Sequence, residues 1–152
     1  MTNLASGELS YQSVSPDDTT WLADVYIASL RDPITTTRGV WNEEVERAQF
    51  VKQLLFTDPT IIQARGNRVG FYAIQLRTDA LFLHTLCILP EHQNKGYGTA
   101  VMRALAERAS GPIQLSVLKS NLRARRFYER LGYRWVSATQ HHDELKWTEP
   151  DR

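Results

Sequence analysis

The feature that most limits what this chain can fold into is an apolar strand that stops at a proline and gives way to a helix behind two closely spaced glycines. Leu81 to Leu89 is almost continuously apolar, the pattern of a central strand covered on both faces. Pro90 ends it. The polar turn Glu91-His92-Gln93-Asn94-Lys95 follows, and Gly96-Tyr97-Gly98 open a helix that runs to Ala109. Val101, Met102, Leu105, Ala106 and Ala109 share one face of that helix. A second buried strand, Ile113 to Leu118, comes next.

Such a turn suits a phosphate. A helix N-terminus carries free main-chain N–H groups and partial positive charge. Glycine lets an anion approach the backbone with no Cβ in the way. Lys95 adds a full positive charge beside it. Other phosphate loops fit poorly: no Gly-x4-Gly-Lys-Ser/Thr run exists, and position 101, where a dinucleotide fingerprint needs glycine or alanine, is Val. Two glycines alone would suit a tight strand-to-helix turn with no ligand better than a phosphate site.

The rest of the chain predicts further elements. Glu8 to Val14 reads as a first strand. Ser15 and Pro16 open a helix whose apolar side holds Trp21, Leu22, Val25, Ile27 and Leu30. Arg31 to Val40 contains Pro33, Gly39 and three consecutive threonines, so it reads as a loop. Asn42 caps a second helix to about Phe56, with Glu43 and Glu44 in its first turn. Thr60 to Ala64 and Val69 to Leu76 are strands about a Gly66-Asn67 turn. Ser120 to Leu131 is a helix stopped by Gly132, and Tyr133 to Ala138 and His142 to Trp147 are closing strands. The fold class is α/β with a mixed sheet, in the order β-α-α-β-β-β-α-β-α-β-β, helices covering both faces.

At 152 residues the chain is one domain, residues 1–152, with neither repeat nor linker. Its 18 basic and 17 acidic residues give a net charge of +1, so no global field draws in nucleic acid or an anionic membrane. A lone cysteine excludes an intramolecular disulfide. Met1 to Ser10 lacks the pattern of a signal peptide, and no run reaches the ~20 apolar residues of a membrane helix. The expected setting is the cytoplasm.

Gln93-x-x-Gly96-x-Gly98, after a strand ended by proline, resembles the acetyl-CoA signature of the GNAT family of N-acetyltransferases. Asn121-Leu122-Arg123-Ala124-Arg125-Arg126-Phe127-Tyr128-Glu129-Arg130-Leu131-Gly132-Tyr133 is similar to the second half of that family's pattern, with Tyr133 in place of the usual Phe. The resemblance covers roughly positions 60 to 147. It implies that strands Leu81–Leu89 and Ile113–Leu118 are parallel and splay apart. The pantetheine arm of coenzyme A would lie in that V against Cys87, Ile88 and Leu89, with the pyrophosphate on the N–H groups of Lys95 to Ala100, Tyr97 and Thr99 included. Gln93, Asn94, Asn121, Ala124, Phe127 and Tyr128 complete the expected coenzyme site. A main-chain N–H near Ile88 would polarise the acyl carbonyl.

Tyr128 holds the family's Phe-Tyr position and is the expected general acid. The family's common glutamate position on the central strand is Phe82, which accepts no proton. His84, two residues on, shares its strand face. Phe82-Leu83-His84-Thr85-Leu86-Cys87-Ile88 is similar to a stretch of arylalkylamine N-acetyltransferases, and His84 is a candidate base. Water, Glu43 and Glu44 are rivals, with Glu44 taken into the catalytic set. A core histidine explains His84 equally well, and plain helix-terminal charge complementarity is the better account of at least one of the two glutamates. Cys87 reads as a small buried hydrophobe of opposite parity to His84. His141 to Glu144 alternate across a strand and cannot converge on one metal. Arg123, Arg125, Arg126 and Arg130 form a basic helix side, with one of them as a minor candidate for the coenzyme's 3′-phosphate. The resemblance makes Arg31 to Trp41 the acceptor loop, with Trp41, Phe50 and Tyr72 as walls and Glu43 beside them, an arrangement suited to a cationic amine.

The expected activity is therefore transfer of an acetyl group from acetyl-CoA to a small-molecule primary amine. Acetyl-CoA is the co-substrate, no metal takes part, and neither nucleic acid nor membrane is a partner. The resemblance also points to a homodimer. A protein or peptide N-acetyltransferase and a silent acyl-CoA-binding regulatory domain are the alternatives.

Overall fold

The computed structural model describes residues 8–150. Most of the stretch assessed above for a leader therefore lies outside the described residues. Strand β1 (Leu9–Ser13) leads into a single 3-10 turn, Pro16–Asp18, and then helix α1 (Thr19–Arg38). Asp18 fixes this entry: its carboxylate accepts the Ser15 N–H at 3.0 Å and the Arg68 guanidinium at 2.8 Å.

Helix α1 overturns one expectation. Arg31 to Arg38 is helical, not a loop, and Gly39 caps it in the left-handed region at φ 81°. A proline inside a helix costs about 3 kcal/mol, and the tertiary fold supplies the offset. The Ser120 hydroxyl donates to Pro33 O at 2.8 Å, Thr37 Oγ1 donates to Ser120 Oγ at 2.6 Å, and Ser120 N–H donates to Thr37 Oγ1 at 3.2 Å. At about 1 kcal/mol each, with roughly 2 kcal/mol for fully burying Ile34, these contacts outweigh the local penalty. The three hydrogen bonds all involve a residue more than 80 positions away, which local sequence cannot show.

Helix α2 (Glu43–Leu54) follows, with Asn42 accepting Val45 N–H at 3.1 Å. Strands β2 (Asp58–Ala64) and β3 (Asn67–Leu76) turn through Arg65 and Gly66, both at positive φ. Then come β4 (Leu81–Ile88), α3 (Tyr97–Arg108), β5 (Ile113–Leu118), α4 (Leu122–Arg130), β6 (Arg134–Ala138) and β7 (His142–Trp147). Among the described residues the strands form one seven-stranded sheet, ordered β1-β2-β3-β4-β5-β7-β6. Every neighbouring pair is antiparallel except β4–β5. No helix among these residues is long and apolar enough to cross a membrane.

Two cores sandwich the sheet. Helices α3 and α4 cover one face, burying Val101, Leu105 and Tyr128 against Ile62, Ile74, Leu83, Ile113, Leu115 and Leu145. Helices α1 and α2 cover the other, where Leu22, Val25 and Phe50 meet Ile61, Phe71 and Cys87.

The β4–β5 ladder lasts for only three pairs, ending at Leu83↔Leu115. The next residue, His84, is an extra one in the β3–β4 ladder, because Ile74 faces Leu83 while Ala73 faces Thr85. This bulge twists β4 away from β5. It also reverses the alternation expected from sequence. Leu83 faces α3, yet Cys87 faces α1 and α2. Cys87 therefore shares the face of Phe82 and His84, a correction to the opposite parity read from spacing alone.

Gly70 holds β3 against the far end of β4. A Cβ there would lie 2.0 Å from the Cys87 carbonyl oxygen, while one at Gly66 would meet nothing within 4 Å. Gly70→Ala should therefore destabilise the protein by more than about 2 kcal/mol in urea denaturation. Gly66→Ala, strained only by its positive φ, should cost about 1 kcal/mol.

Candidate active site

Beyond Leu83 and Leu115 the two parallel strands share no pairs, so β4 has a free edge facing the gap. Leu89 N–H donates to Val69 O at 2.8 Å, toward β3. Antiparallel strands alternate the direction of their polar groups. The N–H and C=O of Ile88 and Leu86 therefore point the other way, into the gap. Gln93 Nε2 takes the Ile88 carbonyl at 2.8 Å, leaving the Ile88 N–H directed at the gap.

The loop from Pro90 to Gly96 turns this edge into a helix terminus. Asn94 sits at φ 62° and Gly96 at φ 85°, and Arg123 of α4 holds Asn94 Oδ1 at 3.0 Å. The first helical hydrogen bond of α3 is Ala100 N–H to Gly96 O. The N–H groups of Tyr97, Gly98 and Thr99 therefore point out of the helix with no intrahelical acceptor, and Lys95 is exposed beside them. The Tyr97 side chain itself belongs to the core.

The second motif does structural work at the same place. Asn121 Oδ1 caps α4 by accepting Ala124 N–H at 3.3 Å. Ala124 and Phe127 pack against the core on the α3 side. A Cβ on Gly98 would come within 3.2 Å of the Phe127 ring, so Gly98 also lets α3 approach α4. Of the basic side of α4, Arg123 faces the loop, whereas Arg125 is taken by Asp143 at 3.0 Å.

Tyr128 lies under the gap, buried between Phe127 and Tyr133 at ring separations of 5.0 and 5.6 Å. Burial, then the nearby Cys87 and Tyr133, push its phenol well above the ordinary 10, so it stays protonated. Cys87 is pushed up to about 12 by burial, with the nearby Ser29 hydroxyl opposing the rise. It is a neutral thiol, as its reading as a small hydrophobe requires. Cys87 also neighbours Tyr26 of α1. Tyr26 of α1 and Tyr128 of α4, in opposite cores, thus both lie within electrostatic reach of Cys87.

His84 sits at the bulge, its ring 4.7 Å from that of Phe82 and Nε2 3.3 Å from Gln75 Oε1. The same Oε1 accepts from Arg77 at 3.3 Å, so the His84 nitrogen facing it carries the proton and Nδ1 is left as an acceptor. Burial, then Arg77, hold the imidazole below its ordinary 6.5.

The expected acceptor walls come apart. Tyr72 is on the α3 face, touching Tyr11 and accepting from Arg108 at 3.3 Å. There it lines a cavity of about 410 Å³ with Tyr11, Asp58 and Arg108. Phe50 is stacked on Tyr26 at 4.3 Å in the opposite core. Trp41, in the α1–α2 connection, carries Arg31 at 5.6 Å from its ring. The sheet separates Tyr72 from Trp41, so the two do not wall one pocket.

Glu43 and Glu44 are exposed at the start of α2, whereas Glu46 is buried and holds Arg38 at 3.1 Å. Sequence reasoning missed Glu46 although it lies one helical turn before Phe50, on the buried stripe. Ser29, Arg38 and Gly70 were missed as well, and nothing local marks them. Among the described residues no three His, Cys, Asp or Glu side chains gather as metal ligands.

Known proteins share this fold. The profile of the acetyltransferase (GNAT) family matches residues 15–133. A search of curated proteins by sequence finds no match. Among solved structures, an acetyltransferase from Thermus thermophilus superposes with a TM-score of 0.75 at 18% identity, covering 93% of this chain and 97% of that one. PaiA N-acetyltransferase from Thermoplasma acidophilum, solved in complex with coenzyme A, gives 0.72 at 16% identity over 93% and 99%. The ribosomal-protein-S18-alanine N-acetyltransferase from Escherichia coli gives 0.64 at 19% identity over 91% and 90%. At these identities the likeness is one of fold.

The His84 environment can be read by NMR titration. The imidazole should titrate below 6.5, and Arg77→Ala should move it upward by removing a neighbouring positive charge. Folding favours neutral His84. Its contribution to stability is therefore complete above 6.5 and is lost as pH falls through the folded-state value.

Proposed function

The chain belongs to the GNAT acetyltransferase family, and from that membership we propose that it transfers the acetyl group of acetyl-CoA to a primary amine of a small molecule by direct attack. The observation that carries this reading is the convergence at one gap of a free strand edge, an uncapped helix N-terminus and a buried protonated tyrosine. Bound acetyl-CoA would supply the activated acyl group. The residues present fit it. Exposed N–H groups at the start of α3, with Lys95, suit the pyrophosphate, and the free edge of β4 suits the amide groups of the pantetheine arm.

In this reading each group has one task. Ile88 N–H donates to the acyl oxygen as charge develops there. Tyr128 donates its proton to the departing sulfur as the C–N bond forms and the C–S bond breaks. His84 takes the proton that the amine loses, through Nδ1, directly or by way of solvent. Its lowered pKa keeps it neutral near pH 7. Glu44 is exposed and fits a solvent-facing role better than proton abstraction. Gln93, Asn94 and Arg123 hold the loop's shape for the coenzyme.

Thiol release from acetyl-CoA tests the reading, with pooled small primary amines in one assay and amino-terminal peptides in another. Release with the amines supports it, release with peptides alone moves the acceptor to a polypeptide, and none with either leaves an acyl-CoA-binding domain. Tyr128→Phe should lower kcat by about 10²-fold or more with coenzyme affinity unchanged. Gly98→Glu, which sets bulk and negative charge at the α3 terminus, should abolish coenzyme binding by calorimetry while circular dichroism remains native.

A further inference from the structure

On the α3 side of the sheet one polar hollow takes no part in the proposed reaction. Tyr72 and Ile74 of β3 lie in the core beneath α3. Register extends that face across the neighbouring strands: Thr60 pairs with Tyr72 and Asp58 with Ile74, while Tyr11 pairs with Ile62 and Ser13 with Thr60. Directly paired residues share a face of the sheet, so Tyr11 and Asp58 belong to the α3 side as well. The helix meets this face with Val101, Ala104, Leu105 and Arg108, a stripe at i, i+3, i+4 and i+7. Val101 and Leu105 are fully buried, whereas Ala104 offers only a methyl group. A cavity of about 410 Å³ is left between this stripe and the first residues of β2, within the roughly 300–1,000 Å³ of small-ligand sites. Arg108 stands at the last turn of α3, about 16 Å along the axis from the helix N-terminus. The hollow is therefore separate from the coenzyme end of the helix.

Its lining carries one charge of each sign. Arg108 and Asp58 both face the cavity, yet they form no ion pair with each other or with any other described residue. Opposite charges that line one cavity and stay apart leave room between them for a ligand bearing both. The donors gather on the Arg108 side. Arg108 donates to Tyr72 Oη at 3.3 Å, which uses one of its five N–H groups and leaves the Tyr72 proton to be given elsewhere. Tyr11 stands edge-on to Tyr72, with ring centres 6.0 Å apart. Burial, then Tyr72 beside it, hold the Tyr11 phenol above its ordinary 10, so it too remains a donor. Asp58, exposed at the start of β2, is an acceptor.

We propose that this cavity is a second binding site, separate from the strand gap, and that it takes a free α-amino acid as the zwitterion. Arg108 and the Tyr72 hydroxyl hold the carboxylate, whose two oxygens can accept all the donors offered. Asp58 holds the ammonium group. Pro59, Val101 and Leu105 give the amino-acid side chain an apolar wall. An amine without a carboxylate leaves Arg108 unmatched, and a carboxylate without an amine leaves Asp58 unmatched. The site thus requires both charges on one small molecule.

Calorimetry on the full chain without acetyl-CoA tests this, with glycine, L-leucine and L-phenylalanine as probes. At least one should bind with Kd of about 1 mM or tighter. The tightest is then compared with its amide, which lacks the carboxylate, and its N-acetyl derivative, which lacks the ammonium group. Each should bind at least about tenfold more weakly. Arg108→Met keeps the aliphatic stem and Asp58→Asn keeps the shape, and both positions are exposed, so both variants should fold with native circular dichroism. Each should weaken the amino acid by about tenfold or more. Tyr72→Phe, which keeps the ring, should weaken it by a smaller factor. No binding by any of the three probes overturns the inference. Equal binding of the N-acetyl derivative overturns the zwitterion, and affinity left intact by either charge variant places the ligand elsewhere and overturns the site. Thiol release from acetyl-CoA has no bearing on these outcomes, so this inference and the proposed function fail separately.

Discussion

The short β4–β5 ladder is the constraint on which the rest of the molecule depends. Three residue pairs join the strands, and then His84 enters the β3–β4 ladder as an extra residue and turns β4 away. From that point β4 has a partner on one side only. Unpaired main-chain groups inside a protein are costly, so an open edge at the centre of a sheet marks a place for a ligand. The bulge also decides which side chains meet there, because it moves Cys87 onto the face of α1 and α2 while Leu83 stays with α3. Gly70 allows β3 to follow β4 through this distortion, its missing Cβ leaving room for the Cys87 carbonyl.

Around that opening the polar groups are arranged by burial. Tyr128 and Cys87 are both held in their neutral forms, and His84 is held neutral by the same desolvation acting on a base. A site of neutral donors and acceptors suits a reaction in which a proton must leave an amine and another must reach a sulfur. The full charges stand further out, in pairs. Glu46 and Arg38 are bonded where α1 gives way to α2, and Arg125 and Asp143 join α4 to β7. Lys95 is left exposed at the α3 terminus.

Much of this was legible in the sequence, and for local reasons. Continuous apolar runs marked β4 and β5, Asn42 marked a helix start through its capping side chain, and Gly132 marked a stop. The Gln93-x-x-Gly96-x-Gly98 turn was found because it relies on backbone conformation, which local residues control. The errors have an equally physical source. Pro33 argued for a loop by its own propensity, and Ser120, far along the chain, reversed the outcome. Tyr72 and Trp41 were grouped as acceptor walls because both are aromatic, but strand parity puts Tyr72 behind the sheet. Glu46 was passed over for Glu43 and Glu44 because first-turn acids suit any helix, whereas its burial follows from the stripe it shares with Phe50.

By itself the sequence determined the order of elements, the mixed sheet and the phosphate-type turn, because each depends on periodicity, capping or glycine over a few neighbouring residues. Only the tertiary structure decided where β4 leaves β5, which face Cys87 takes, and that α1 runs on past Pro33. Those outcomes are balances between a local cost and contacts made by distant residues. A chain read one window at a time carries the cost and lacks the contact that offsets it.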